Sequence, residues 1–67
     1  MTDEEIVMAM LALCDEYGLH PSPEDRASLQ IDITALWLQA GYPKSAKWNE
    51  LISIAEDRYR SENGLPA

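Results

Sequence analysis

One cysteine and one histidine stand in 67 residues, and most site chemistry is excluded by that scarcity. A structural zinc site draws four ligands from Cys and His, so no metal centre is expected. Cys14 has no partner for an intrachain disulfide, and a small domain without disulfides belongs in a reducing compartment, the cytoplasm. Cys14 also falls in the middle of a predicted helix, away from the N-terminus that lowers a thiol's pKa. His20 follows more than a turn later at ~1.5 Å per residue, too far for a Cys–His dyad, and reads as a turn residue before proline. The acidic turn from Asp15 to Asp25 lacks the D-x-[DN]-x-[DN]-G spacing of a calcium loop. No glycine-rich phosphate loop occurs, and no Asp-Ser-Leu attachment site of a helical carrier domain is present. Paired carboxylates need a pocket to separate their pKa values, which a chain this short rarely builds. The expectation is a non-enzyme with no catalytic residue, no metal and no cofactor.

Long apolar runs are missing too. The run from Ile6 to Cys14 falls well short of the ~20 residues of a membrane span, follows acids rather than a basic segment, and leads into no cleavage pattern. No membrane contact and no targeting segment are expected.

Basic residues are few: twelve acids against five bases give a net charge of −7. Such a field repels nucleic acid and anionic membrane and attracts basic protein surfaces. Its distribution is lopsided. Residues 1–32 carry Asp3, Glu4, Glu5, Asp15, Glu16, Glu24, Asp25 and Asp32 against Arg26 alone, whereas residues 33–67 balance four acids with four bases. What is present in ordinary amount is apolar content, 46%, which separates the chain from disordered acidic tails. At this length it makes one helical domain, 1–67, with a single core.

Three helices are legible, over about 3–17, 23–40 and 45–62, and they predict an all-α, compact three-helix bundle. Thr2-Asp3-Glu4-Glu5 has the form of a capping box, and Ile6, Met10, Leu13 and Tyr17, widened by Val7, Leu11 and Cys14, recur at helical spacing. Gly18 supplies a cheap helix end, with Leu19 placed as in a Schellman motif. His20-Pro21 breaks the chain, and Ser22-Pro23-Glu24-Asp25 reads as N-cap, N1 proline and two acids on the positive end of the dipole. The second helix shows two apolar faces, Leu29, Ile33, Leu36, Trp37 and Ala40 on one and Ile31, Ala35 and Leu38 on the other, and is expected to be the central, most buried element. Its middle, Leu29 to Thr34, alternates like a strand, but no second such run exists to pair with it. Gly41-Tyr42-Pro43 repeats the stop. The third helix carries Trp48, Leu51, Ile52, Ala55 and Tyr59 on one face, and Asn63-Gly64-Leu65-Pro66 ends it. Trp37 and Trp48 are expected to fill the core, and an exposed one would anchor a partner.

In an up-down-up bundle the end of the first helix, the start of the second and the end of the third share a pole. That pole collects Asp15, Glu16, Glu24 and Asp25, with Glu56, Asp57 and Glu62 joining from the third helix and Arg26, Arg58 and Arg60 offsetting part of the charge; Asp15, Glu16, Glu24, Asp25, Glu56 and Asp57 are the candidate partner-binding residues. Glu24 and Asp25 sit where the dipole favours anions. Asp15 and Glu16 sit in a last turn, where it disfavours them, so folding alone would not choose acids there. Drift on a solvated surface is the plain alternative; recognition of a cationic groove is the functional one.

A small acidic helical body of this kind, carrying Asp15, Glu16, Glu24 and Asp25 and no catalytic set, resembles the phage-encoded anti-CRISPR inhibitors that mimic nucleic acid. The resemblance is one of type, without a shared motif. It implies a cytoplasmic inhibitor that masks a basic, nucleic-acid-binding surface, such as that of a CRISPR effector subunit, without binding nucleic acid itself. Two alternatives remain. Lys44, Lys47 and Trp48 at the start of the third helix suit a helix-turn-helix regulator, although Glu50, Glu56 and Asp57 share that helix. The apolar faces also suit a dimerising module, a monomer being favoured over a homodimer.

Overall fold

The computed structural model describes residues 1–65 and contains three helices in the expected order: α1 (Asp3–Tyr17), α2 (Pro23–Gln39) and α3 (Ser45–Glu62). Among the described residues there is no strand. The β-like alternation in the middle of α2 resolves as helix, and its consequence is geometric. A strand would place Leu29, Ile31 and Ile33 on one side; the helix keeps Leu29 and Ile33 half-buried and turns Ile31 outward, 72% exposed. Thr34, the polar β-branched residue of that run, turns its hydroxyl back to the carbonyl of Gln30 at 2.7 Å, a bond available only within a helix.

Local signals set each start. Thr2 Oγ1 accepts from the Glu5 amide at 3.2 Å while Glu5 Oε1 accepts from the Thr2 amide at 2.8 Å, closing the capping box. Ser22 Oγ accepts from the Asp25 amide at 3.2 Å, with Pro23 as the first helical residue. Lys44 caps α3 by backbone alone.

The ends differ from one another. After α2, the Gly41 amide reaches Leu38 and the Tyr42 amide reaches Trp37; after α3, the Gly64 amide reaches Ser61 and the Leu65 amide reaches Arg60. These are two Schellman closures, with Gly41 at φ 87° and Gly64 at φ 66°. The Schellman closure expected after α1 is not formed: Gly18 bonds Cys14 at 2.8 Å but leaves at ψ −176°, and Leu19 makes no backbone bond to the helix among the described residues. His20 before Pro21 is confined to extended conformations, which carries the chain away before it can wrap back. Pro66, the last residue of the third stop signal, lies outside the described residues.

The core is a cluster of Ile6, Val7 and Met10 of α1, Leu36 of α2, and Leu51 and Ala55 of α3, each at most 7% exposed, with Leu11 of α1 also buried. Packing is organised around α1, which lies against both other helices, while α2 and α3 make no close backbone approach to each other. The expectation that α2 would be central is therefore corrected: among the described residues α2 buries Leu36 alone. The apolar residues of α1 form adjacent stripes, which suit two neighbours on one side. Those of α2 lie on opposite sides, and a three-helix domain has no further layer to cover the second. The start of α1 is tied to α3 at two levels, Asp3 Oδ2 accepting from Lys47 Nζ at 2.8 Å and Glu4 accepting from the Arg58 guanidinium.

Candidate functional site

The six candidate acids fall into separate environments. Asp15 and Glu16, in the last turn of α1, and Glu24 and Asp25, in the first turn of α2, are all exposed, and none forms an ion pair among the described residues. Glu56 and Asp57 are engaged by their own helix: Arg60 Nη2 lies 3.5 Å from Glu56 Oε2 and its Nη1 lies 3.2 Å from Asp57 Oδ1. That pairing sets one positive charge against two of the six negative ones and leaves a net charge of one negative there. Arg58, which the sequence assigns to the same pole, points elsewhere. Its guanidinium forks onto Glu4 at the start of α1, Nη2 to Oε2 at 3.1 Å, and this bond holds the Glu4 carboxyl below its ordinary range.

Cys14 and Glu56 line one cavity between the helices, and the thiol is raised by burial first, then by the fields of Glu56 and of its chain neighbour Asp15, with Arg60 opposing. The Tyr17 hydroxyl donates to Asp32 Oδ2 at 2.6 Å. That hydrogen bond, followed by desolvation and the fields of Asp32, Glu16 and Asp25, pushes the phenol up to about 12. Asp32 thus meets Tyr17 where α1 meets α2, with Glu16 next to Tyr17 in the chain and Asp25 near enough for its field to act on the phenol. Asp32 was not among the sequence candidates. Its signal was its place seven residues after Asp25, two helical turns along the same edge.

Neither tryptophan is fully buried. Trp48 packs against the core. Trp37 does not fill the core as expected; its Nε1 donates to the Pro43 carbonyl at 3.1 Å, and its ring meets Tyr42 edge-on at 4.7 Å. Because α2 and α3 do not close on each other, the two rings line an open groove of about 410 Å³ with Gln30, Ile33, Thr34, Ser45 and Asn49. A smaller apolar cavity of about 110 Å³ lies between the three helices, with Cys14 on its wall. Among the described residues no group of three or more His, Cys, Asp or Glu is arranged to hold a metal ion, and no helix is long and apolar enough to cross a membrane.

No protein-family model matches this chain, and no curated protein and no solved structure resembles it significantly.

Proposed function

We propose that this protein is a non-enzymatic binding protein whose acidic corner, Asp15, Glu16, Glu24 and Asp25 joined by Asp32, masks a cationic surface of a partner protein. The observation that carries the reading is the allocation of charge. Lys47, Arg58 and Arg60, of the chain's five bases, are committed to Asp3, Glu4, Glu56 and Asp57. The corner is left with Arg26 as its nearest cation in sequence and with four exposed carboxylates free of ion pairs among the described residues. A surface of that sign, on rigid helix ends, suits a groove of Arg and Lys that otherwise holds phosphates. Glu56 and Asp57 contribute less than the other four, being already paired. The partner class implied is a nucleic-acid-binding protein, a CRISPR effector subunit among the candidates.

The helix-turn-helix alternative gains no support from the start of α3. Lys47, on which it depends, is held by Asp3, whose hydrogen bond and charge together with the field of Glu50 raise the ammonium pKa.

The reading is tested by competition. A basic DNA-binding domain is loaded with a labelled duplex, and the protein is titrated in. Displacement is expected, and it should disappear when Asp15, Glu16, Glu24 and Asp25 are changed together to their amides. Equal displacement by the amide variant would overturn the reading.

A further inference from the structure

The outer side of α2 is unpartnered. Glu24, Ile31 and Leu38 follow at intervals of seven, with Ser28 and Ala35 between them, and all five are exposed. Ile31 and Leu38 are 72% and 48% exposed, while Leu36 on the opposite side enters the core. Seven-residue spacing of this kind forms the seam of a helix pair, with large side chains at one position and small ones at the other.

The two edges of the seam are unlike. One edge carries Asp25, Asp32 and Gln39, each one residue after a seam position, and the end of α1 meets that edge, where the Tyr17 hydroxyl donates to Asp32. The other edge carries Ala27 and Thr34, and Thr34 is turned back onto its own helix. Arg26, the sole base of α2, lies on the far side of the helix from the seam. The seam is thus apolar, acidic at its start, and acidic along one edge.

We infer that this face docks an amphipathic basic helix of the partner protein, with apolar side chains over Ile31, Ala35 and Leu38 and Lys or Arg along the edge that meets Asp25 and Asp32. This rests on the acidic-corner reading and supplies the apolar contact that reading lacks. Charge complementarity selects the occupant. A second copy fits poorly: antiparallel pairing brings the edge holding Asp25 and Asp32 against its own equivalent, and parallel pairing stacks Glu24 on Glu24. A basic helix meets no like charge in either direction.

The test uses the full chain and labelled synthetic peptides in an anisotropy titration. The probe is a helical peptide of a few heptads with Leu along one stripe and Arg at the flanking positions. One control has the same composition scrambled so that the stripe is lost; a second keeps the stripe and carries Glu at the flanks. The amphipathic basic peptide is expected to bind about tenfold or more tightly than the scrambled one. The double substitution Ile31→Ser and Leu38→Ser should remove that advantage while leaving the helical spectrum unchanged, because both side chains are exposed. Asp25→Asn with Asp32→Asn should weaken binding and flatten its salt dependence, and Asp25→Asn alone should do so in part without touching the Tyr17 bond.

If both basic peptides bind equally and the serine variant is indifferent, the docking face is refuted while the acidic corner survives. If neither basic peptide binds, both readings fall. Equal binding of the Glu-flanked peptide, or a dimer in sedimentation that the serine variant dissolves, would make the contact purely apolar or self-directed and overturn the proposal.

Discussion

Truncating one buried and one outward-facing side chain separates the hub of this fold from its free face. Leu51 is 2% exposed and packs with Ile6, Val7, Met10, Leu36 and Ala55. Replacing it with alanine removes transfer free energy and opens a cavity, a loss of about 2–5 kcal/mol. A domain of 67 residues has only about 3–10 kcal/mol in total at the usual per-residue stability. Mid-range values put the loss from Leu51→Ala at roughly half of the stability. Ile31 is 72% exposed. Since full burial of an isoleucine is worth about 1.5–3 kcal/mol, its truncation should cost under about 1 kcal/mol, and alanine's better helix propensity returns roughly half a unit of that. The net change expected for Ile31→Ala is close to zero. Urea unfolding followed by circular dichroism gives both values on one scale, with an unchanged m-value as the check that only stability moved. A loss at Ile31 comparable with that at Leu51 would mean that α2 buries its outer side, and both the α1-centred packing and the docking face would be refuted.

Three further outcomes follow from individual residues. The Tyr17 phenol, pushed up to about 12 from the ordinary value near 10, favours the protonated folded form. Its contribution to stability should be complete below pH ~10 and decline as pH rises through the folded value; ultraviolet titration should follow that shift, and Asp32→Asn should bring the transition down. Cys14, raised by burial and then by Glu56 and Asp15, should alkylate more slowly at neutral pH than a free thiol, and Glu56→Gln with Asp15→Asn should speed it, because the thiolate is the nucleophile. Gly41, at φ 87° with open space where a Cβ would sit, should lose about 1–2 kcal/mol on substitution by alanine from backbone strain alone, which a thermal melt reads as a fall of roughly 4–8 °C per kcal/mol.

The helices and their starts were legible because capping is local: Thr2 with Glu5, and Ser22 before Pro23, carry their own partners within one turn. The layering was not. An apolar count ranks α2 with α1, but burial depends on whether the apolar residues face one side or two, and Ile31 and Leu38 lie opposite Leu36. The end of α1 was misjudged because the restriction that Pro21 places on His20 outweighs the opportunity at Gly18. Asp15 and Glu16 at the end of α1 and Glu24 and Asp25 at the start of α2 are exposed. Which bases neutralise which acids was hidden, because Arg58 spans from α3 to Glu4, and long flexible side chains choose partners only once the helices are packed. Asp32 was overlooked because its relation to Tyr17 crosses between helices.

The claim on which the function rests is that the carboxylates of one corner are kept free of ion pairs for a cationic partner. Its most direct measurement is the slope of log affinity against log salt for a basic DNA-binding domain, taken for the natural chain and for the variant with Asp15, Glu16, Glu24 and Asp25 as amides. The account predicts that the variant binds about tenfold or more weakly at low salt with a clearly shallower slope; identical affinity and slope for the two proteins would contradict it.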